Sequence, residues 1–256
     1  MLYSEERLLE ITSLIQAAGS ISVKELAKHF NVSDATIRTD LTKLESTGVI
    51  SRTHGGAILN SATMPEPTLN ERFHKEQKTA IAKRALQEIQ NGDSILIDTG
   101  TTMLALAEEL VHSNLHDLTI FSNDLDVIRL LESRSDYHLS VFGGTIRNGF
   151  HYSYGSQMID ELKKLYFDKV FLATSGISCT QGLTTATFDL AQIKTAMLHC
   201  SDHVILLSDS SKMHQIHLRK FADFEDISLL IMDQDLSDDT AVQLRKCISN
   251  LILVSY

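Results

Sequence analysis

The sequence predicts an α/β protein with two domains: a small helical domain with a β-wing, then a larger domain built on a mostly parallel sheet. Three observations predict this class. Helix caps and apolar residues at helical spacing recur over the first 50 residues, and the only two prolines, Pro65 and Pro67, fall together in a polar stretch. After them, short apolar runs alternate with helical segments. We therefore assign residues 1–58 to the first domain, 59–78 to a linker and 79–256 to the second domain.

The composition is that of a globular protein. The chain has 256 residues, 43% hydrophobic and 22% charged, and no run of about 18 apolar residues that could cross a bilayer. Acidic residues stand near the N-terminus where a secretion signal needs a basic start, so we expect a cytoplasmic location. Cys179, Cys200 and Cys247 fit neither a disulfide framework nor a CxxC metal site, so we expect buried, reduced thiols and neither cofactor nor metal.

The net charge of −10 argues at first against a nucleic-acid partner, because neutralising phosphates requires Lys and Arg. The charge is, however, unevenly distributed. Residues 1–60 hold six Lys or Arg and seven Asp or Glu, a balance of −1, which leaves 17 basic and 26 acidic residues, a balance of −9, for the rest. DNA binding by the first domain must therefore depend on its motif and not on its charge.

Capping residues and apolar spacing predict three short helices in the first domain. Ser22 with Glu25 forms a capping box, and Ser33 is a second good cap. The predicted helices run from about Leu8 to Gly19, from Val23 to Phe30 and from Asp34 to Thr47. The second and third, joined by a turn of four residues or fewer, have the spacing of a helix-turn-helix, whose second helix lies in the major groove of DNA.

A β-wing is predicted after these helices, because Val49–Ile58 has two alternating arms around a glycine pair. Three helices that bind another protein would explain the caps equally well, but not the Gly-Gly wing. Arg, Lys and Thr on the outward face of the third helix can reach phosphates and base edges. The candidate DNA-contacting residues are Ser33, Thr36, Arg38, Thr39, Thr42 and Lys43, with Arg52 and His54 in the wing.

The segment SVKELAKHFNVSDATIRTDLTKLESTGVISRTHGGA, which begins at Ser22, closely resembles the signature of the DeoR family of transcriptional regulators. In that signature a TIRRDL-like run is followed by a Leu-Glu pair, a Gly and an Arg-x-His-Gly-Gly wing. The resemblance implies binding to a double-stranded DNA operator. Thr39 stands where the family commonly has a second basic residue, which weakens one expected contact to a phosphate or base. Arg38 is therefore expected to make a larger share of the DNA contacts.

Six apolar runs in the larger domain predict strands of a sheet that is covered on both faces. A helix from about Arg72 to Glu88 leads into them. The runs are Ser94–Ile97, Leu118–Phe121, Leu139–Phe142, Val170–Ala173, Val204–Leu207 and Leu229–Met232. Ligands of open α/β sheets bind beyond the carboxyl ends of the strands, so the residues after these runs are candidates for a binding site.

Small polar motifs follow five of these runs and predict a pocket. Amides and hydroxyls at Thr101 and Thr102, which begin a helix, could hold a phosphate, and Lys212 could neutralise it. Asp98, Asn123 and Asp189 could pair with hydroxyls. Taken singly, such residues often only cap helices or allow turns, but as a set they favour a site. The candidate effector-binding residues are Asp98, Gly100, Thr101, Thr102, Asn123, Gly143, Gly144, Ser175, Gly176, Asp189, Asp209 and Lys212.

These motifs also resemble the sensor domain of the DeoR family, whose fold is shared with ribose-5-phosphate isomerase. The resemblance implies a homo-oligomeric repressor of a carbohydrate operon that responds to a small effector, a sugar phosphate. Three positions depart from the family's habit: Ser122, where Thr is commoner, Asp124, where Ser is commoner, and Ser175, where Asp is common. A carboxylate at Asp124 is expected to repel a phosphate nearby.

Two other functions are compatible with parts of the sequence. A sugar-phosphate isomerase could use Asp98, Asp209 and Lys212 as acid–base groups, but a fused DNA-binding domain favours a regulator. A metal site could use His199 and His203 on one helical face, or His214 and His217. No nearby Glu completes a metalloprotease motif, so solvated or capping histidines are favoured.

Overall fold

The computed structural model describes residues 7–8, 10–12, 14–15, 20–46, 50–53, 55–59 and 74–256. The chain divides into two compact units, residues 1–69 and 70–256. The expected linker bounds, 59 and 78, fall inside secondary structure, because a strand runs to Leu59 and a helix begins at Lys75. Pro65 and Pro67 lie outside the described residues.

The small unit consists of helices and a three-stranded antiparallel sheet. The described residues between 7 and 15 are helical. The later elements are β1 (Ser20–Ser22), α1 (Val23–Phe30), α2 (Asp34–Ser46), β2 (Ile50–Arg52) and β3 (Gly56–Leu59). The strand order is β1-β3-β2, so the predicted wing is the hairpin of β2 and β3.

Apolar residues from all the helices form the core of the small unit, with Ile11, Leu26 and Ile37 fully buried. The predicted capping box is confirmed: the Glu25 amide donates to Ser22 Oγ over 3.2 Å, and the Ser22 amide donates to Glu25 Oε2 over 2.9 Å. β1 was not predicted, because it has only three residues and ends at the helix cap Ser22, which is too short to show the alternation of apolar and polar residues typical of a strand.

Gly56 is fixed by its close approach to β1. A Cβ at this position would lie 2.1 Å from the carbonyl oxygen of Ile21 and 2.8 Å from Cα of Ser22, which pairs with Gly56 in the sheet. The preceding Gly55 has no atom within 4 Å of the equivalent position. Only the second glycine of the pair is therefore required by packing.

We expect Gly56→Ala to lower the stability of the small unit by about 1–3 kcal/mol, because β1 and β3 must separate to admit the methyl group. Amide hydrogen exchange over residues 20–59 measures this loss. Gly55→Ala is the matched control and should change stability by less than about 0.5 kcal/mol. Equal protection in the two variants would contradict the close approach.

The larger unit is built on a seven-stranded sheet in which every neighbouring pair is parallel. Its helices are α3 (Lys75–Leu86), α4 (Thr101–Val111), α5 (Leu125–Leu131), α6 (Ser156–Leu162), α7 (Phe188–Leu198) and α8 (Asp238–Cys247). Its strands are β4 (Ser94–Ile97), β5 (Thr119–Ser122), β6 (His138–Val141), β7 (Thr145–Arg147), β8 (Tyr152–Tyr154), β9 (Lys169–Leu172), β10 (Gly176–Ser178), β11 (Gly182–Thr185), β12 (Val204–Ser208), β13 (Arg219–Ala222), β14 (Leu229–Asp233) and β15 (Leu251–Val254).

The strand order of the main sheet is β15-β14-β12-β9-β4-β5-β6. The chain builds outward from β4 to β6, returns to β9 on the other side of β4, and builds outward again. β4 and β9 therefore flank the topological switch point, where ligands of such sheets bind. Two smaller antiparallel sheets, β10-β11-β13 and β7-β8, are additional to the predicted strands.

Both faces of the main sheet are covered, as predicted. Residues of β4 alternate between the two cores: Ile95 and Ile97 pack with α3, α4 and α5, whereas Leu96 packs with α6, α7 and α8. The six predicted strands are confirmed to within one residue at each end. β15 was missed, because its residues are only half-buried at the edge of the sheet.

The expectation of buried thiols was wrong for two of the three cysteines: Cys200 is buried, but Cys179 is exposed and Cys247 half-buried. α7 ends at Leu198, so His199 and His203 do not share the helical face that the disfavoured metal site would need. In the part of the chain that the structure describes, no group of three or more His, Cys, Asp or Glu side chains could hold a metal. Among the described helices, none has the length and apolar character to cross a membrane.

Candidate functional site

The candidate DNA-contacting surface is the outer face of α2. Arg38, Thr39, Thr42 and Lys43 are exposed there, and Ser33 precedes the helix. Ser33 Oγ accepts from the Thr36 amide over 3.2 Å and lies 2.9 Å from Thr36 Oγ1. The hydroxyls of Thr39 and Thr42 donate to main-chain carbonyls one turn earlier, at 3.0 and 2.8 Å.

Arg52 joins the wing to α2. Its guanidinium donates to Thr42 Oγ1 over 2.8 Å and lies 3.9 Å from the Glu45 carboxylate, which also accepts from the Arg52 amide over 3.1 Å. Arg52 thus helps to fix strand β2 of the wing against α2, the second helix of the helix-turn-helix, which is called the recognition helix below. His54, the other predicted wing contact, lies outside the described residues.

A buried ion pair fixes α2 from its inner side. Arg7 Nε donates to Asp40 Oδ2 over 2.6 Å and Arg7 Nη2 lies 3.3 Å from Oδ1, with the two side chains 11% and 3% exposed. The hydrogen bond to Asp40 raises the pKa of Arg7 above its usual value. Sequence reasoning missed this pair, although Asp40 lies on the same helical stripe as the buried Ile37, Leu41 and Leu44.

A buried lysine–aspartate pair occupies the switch point of the larger unit. Asp98 follows β4, and its Oδ2 accepts from Lys194 Nζ and, over 3.0 Å, from the amide of Ala173, which follows β9. Lys194 Nζ also donates to the Ala173 carbonyl over 3.0 Å. The other oxygen, Asp98 Oδ1, is buried, and no described residue donates a hydrogen bond to it. Asp98 thus connects both central strands with α7 while leaving one acceptor unused.

Lys194 was not among the predicted site residues. It lies on the buried face of α7 with Leu190, Ala191 and Met197 and is 2% exposed. A lysine on an apolar helical stripe is the sequence signal that could have identified it, because a buried cation requires a partner.

Asp124 ties the loop after β4 to α5. One carboxylate oxygen accepts from the Thr99 hydroxyl over 2.7 Å and the Gly100 amide over 3.3 Å. The other caps α5 by accepting from the amides of Asp126 and Val127 at 2.9 and 3.2 Å. Burial raises the pKa of Asp124, and these hydrogen bonds partly offset the rise. The carboxylate is therefore an occupied, buried cap and not an open charge at the predicted phosphate site.

Asn123 is the second buried side chain at this edge with an unused acceptor. Its Nδ2 donates to the Ser153 carbonyl over 3.0 Å, and its Oδ1 is buried with no hydrogen-bond partner in the part of the chain that the structure describes. Gly144, which follows β6, approaches the same strand: its φ is +147° and a Cβ would lie 2.5 Å from the Tyr154 carbonyl oxygen. Gly143 is exposed with open space around it.

The first turn of α4 has the features predicted for an anion site. Gly100 is the N-cap with φ +131°, and no side chain among the described residues caps the helix. The amides of Thr101, Thr102 and Met103 therefore face the helix end without intrahelical acceptors. Thr101 is partly exposed, whereas Thr102 is buried.

Ser175 and Gly176 lie apart from these residues, at the start of β10. The Ser175 carbonyl oxygen lies 3.1 Å from His217 Nε2, and Gly176 packs so closely that a Cβ would lie 2.4 Å from the Gln215 carbonyl oxygen. Asp209 is buried and accepts from the Ser211 amide over 3.1 Å, which caps the short helix Ser210–Lys212. No contact joins Asp189, in the first turn of α7, or Lys212 to Asp98 within the described residues.

A separate open groove lies at the opposite, amino edge of the main sheet, with a volume of about 490 Å³. Lys169, His203, Ser228 and Asn250 contribute to its lining, and Lys169 is paired with Asp93 at 2.7 Å. None of the predicted site residues lines this groove. The convergence of strand ends, and not the size of a cavity, therefore identifies the candidate effector site.

A winged helix-turn-helix followed by an α/β unit with a polar site at its switch point defines a DNA-binding transcriptional regulator with a sensor domain. Residues 7–63 match the DeoR-like helix-turn-helix domain, and residues 73–234 match the DeoR C-terminal sensor domain. The chain belongs to the DeoR family, which confirms the resemblance inferred from the sequence motifs.

Curated relatives match along almost their whole length. The lactose phosphotransferase system repressor of Staphylococcus epidermidis (RP62A) is 32% identical over 235 residues, covering 90% of this chain and 92% of that protein. The HTH-type transcriptional repressor GlcR of Bacillus subtilis (strain 168) is 31% identical over 252 residues, covering 95% and 96%. With the two family domains, these relatives identify the chain as a regulator and not as the isomerase that the sequence left as an alternative.

Solved structures resemble this chain at the level of fold alone. Ribose 5-phosphate isomerase A from Methanocaldococcus jannaschii has a TM-score of 0.40 and 16% identity, covering 55% of each chain. The Pyrococcus horikoshii OT3 translation initiation factor eIF-2B has a TM-score of 0.48 and 12% identity, covering 89% of this chain and 86% of that one.

Proposed function

We propose that this chain represses a carbohydrate-utilisation operon inside the cell and is released from DNA when a small phosphorylated sugar binds at the carboxyl edge of its sensor sheet. The names of the relatives support this proposal, because one is the repressor of a lactose phosphotransferase system. In the chain itself, the main support for the proposal is a pair of buried, unused hydrogen-bond acceptors at the ends of two neighbouring strands.

Asp98 Oδ1 and Asn123 Oδ1 favour a ligand that presents hydroxyl groups. Each is buried and has no hydrogen-bond partner within the described residues, and a buried acceptor left without a donor costs about 1–3 kcal/mol. Both follow central, adjacent strands of the sheet. A sugar offers several hydroxyl donors, which would satisfy both atoms, whereas a bare anion offers none.

The phosphate is assigned to the first turn of α4 and to Lys212. Amides at a helix N-terminus bind anions, and among the described residues no side chain caps this turn. Lys212 supplies the cation: it is half-buried, and its ammonium group has no ion-pair partner among the described residues. Gly100, Thr101 and Thr102 then contact phosphate oxygens, while Gly143, Gly144, Ser175, Gly176, Asp189 and Asp209 shape the surrounding loops.

A thermal-shift screen with hexose and pentose phosphates tests the effector. A ligand at about 100 times its Kd stabilises the folded protein by about 2.7 kcal/mol, which corresponds to about 5–10 °C for a unit of this size. Lys212→Ala should abolish the shift, whereas Lys83→Ala, at an exposed lysine of α3, should retain it. No shift with any sugar phosphate would remove the proposed effector but leave the DNA-binding domain in place.

DNA binding is assigned to the exposed face of α2, with Arg38 as its main contact. Arg38→Ala should weaken binding to an operator duplex obtained by in vitro selection by about 10- to 100-fold, the cost of losing one base or phosphate contact. Thr39→Arg adds the basic residue that this chain lacks and should strengthen binding. Fluorescence anisotropy measures both changes, and unchanged affinity in both variants would refute the assignment of α2.

We also assign a homo-oligomeric state, because two recognition helices can then match DNA half-sites about one helical turn apart, or a multiple of it. Effector binding would change the separation of the two DNA-binding domains. Sedimentation of the full chain with and without DNA tests this: a monomer on DNA would contradict the arrangement.

A further inference from the structure

Asp233 is a buried carboxylate at the carboxyl edge of the main sheet, and it was not among the predicted site residues. It is the last residue of β14 and is 0% exposed. β14 pairs in parallel with β12, so Asp233 lies beside the chain that leaves β12 towards Lys212. A carboxylate that is removed from water requires hydrogen-bond donors to compensate for its lost hydration. The donors of Asp233 therefore indicate what this residue holds in place.

Both carboxylate oxygens of Asp233 accept from main-chain amides. Oδ2 accepts from the Ser210 amide over 2.6 Å, and Oδ1 accepts from the Asp235 amide over 3.0 Å. Ser210 begins the short helix Ser210–Lys212, whose last residue is the lysine assigned to the phosphate. Asp233 thus fixes the start of this helix to the neighbouring strand.

A second buried carboxylate holds the next amide of the same short helix. Asp209, the N-cap, is 2% exposed and accepts from the Ser211 amide over 3.1 Å. Asp209 directly precedes the helix in sequence, whereas Asp233 comes from a different strand. Asp209 therefore shapes the turn, and Asp233 ties the turn to β14.

The chain after Lys212 is tied to β10. Met213 forms a β-bridge with Ile177 of β10, and the His214 amide donates to the Ile177 carbonyl over 2.9 Å. The main chain of Lys212 is thus anchored on both sides, by Asp233 before it and by Ile177 after it. These two anchors limit the positions that the Lys212 ammonium group can reach.

We propose that Asp233 is a positioning residue for the sugar phosphate: it holds the main chain of Lys212 where the ammonium group meets the phosphate. This inference rests on the proposed function, which assigns the phosphate to Lys212 and the first turn of α4. Asp233 does not bind the phosphate itself, because both its oxygens are occupied by amides and its negative charge repels an anion. Its effect on affinity therefore passes through Lys212.

A double-mutant cycle in the full chain tests this role. Asp233→Asn replaces one carboxylate oxygen by an NH2 group that cannot accept, so one of the two amides loses its partner. We expect affinity for a sugar phosphate to fall about 10-fold in Asp233→Asn and about 10- to 100-fold in Lys212→Ala. The double variant should bind no more weakly than Lys212→Ala alone. Isothermal titration calorimetry with glucose 6-phosphate, fructose 6-phosphate and ribose 5-phosphate measures all four proteins.

Asp93→Asn is the matched control, because Asp93 lies just before β4, at the opposite, amino edge of the same sheet. Its side chain is 12% exposed and accepts from Lys169 Nζ and the Gln90 amide, each over 2.7 Å. This variant should lose stability without losing affinity for a sugar phosphate. Hydrogen exchange is a second readout that needs no ligand: residues 210–214 should exchange faster in Asp233→Asn but at the wild-type rate in Asp93→Asn.

Ser210→Pro is a second variant, for use if Asp233→Asn does not fold. It removes the amide that donates to Asp233 and leaves every charge in place. Proline suits the first position of a helix, and Asp209 before it has the extended conformation, φ −82° and ψ 157°, that a following proline favours. The proline ring occupies the space of the lost N–H and displaces the turn from Asp233, so affinity should again fall about 10-fold.

Three results would overturn this inference and leave the proposed function standing. They are wild-type affinity for a sugar phosphate in the Asp233→Asn and Ser210→Pro variants, a double variant in which the two single losses multiply, and unchanged exchange over residues 210–214 in Asp233→Asn. A wild type that binds none of the three sugar phosphates would instead remove the proposed effector and this inference together.

Discussion

A Lys194→Met variant is expected to lose about 3–5 kcal/mol of unfolding free energy, because it leaves the Asp98 carboxylate buried without its cation. The two side chains are 3% and 0% exposed, so water cannot replace the lost partner. Methionine keeps most of the length and apolar volume of the lysine. The loss of unfolding free energy therefore comes from the missing charge and not from a cavity. The Ala173 carbonyl also loses a donor.

A double-mutant cycle separates the interaction free energy of the Lys194–Asp98 pair from the contributions of its surroundings. Adding Asp98→Asn to Lys194→Met removes the unpaired charge, so the double variant should recover much of the stability lost by the single one. Lys163→Met is the matched control, because its partner Asp160 is exposed, and this variant should behave like the wild type. Urea unfolding measures the wild type, the Lys194→Met and Asp98→Asn single variants, the double variant and the control, and a Lys194→Met variant within about 1 kcal/mol of the wild type would contradict the buried pair.

An Arg7→Met variant is expected to lower the stability of the small unit by about 3 kcal/mol, because Asp40 then remains buried on α2 without its guanidinium. The loss should also loosen the recognition helix and weaken DNA binding. Hydrogen exchange over residues 34–46 measures the effect without interference from the larger unit, whose exchange should not change.

The Arg7→Met/Asp40→Asn double variant is the control for this prediction. It removes both charges and should regain part of the protection of α2. If Arg7→Met leaves exchange in α2 unchanged, the ion pair does not hold the recognition helix. If the double variant is no better protected than Arg7→Met alone, the effect does not come from the buried charge of Asp40.

The helices and strands that have a strong local sequence pattern were predicted from the sequence. Apolar runs gave six of the seven main strands, and caps at Ser22 and Ser33 gave the starts of α1 and α2, because both signals depend on neighbouring residues alone. β1 and β15 were missed for physical reasons: β1 is stabilised by pairing with β3, which is distant in sequence, and β15 is a half-buried edge strand.

The candidate sites were predicted less completely than the fold. The rule that ligands bind beyond the carboxyl ends of the strands made Asp98 and Asn123 candidates but not Lys194. The partner of Lys194 lies 96 residues away in sequence, so local spacing could not reveal the pair. Asp124 was expected to repel a phosphate, yet four donors occupy its carboxylate. Asp40 and Lys194 are charged residues on apolar helical stripes, and this position is the sequence signal for both buried ion pairs.

The proposed function requires sugar phosphate and DNA to weaken each other's binding to this chain, and we would test this by measuring the affinity of each ligand in the presence and absence of the other. A sugar phosphate that shifts the melting temperature should weaken operator binding, and the operator should weaken binding of that sugar phosphate by the same factor. Affinities that are independent of each other would contradict the proposed function, even if both ligands bind.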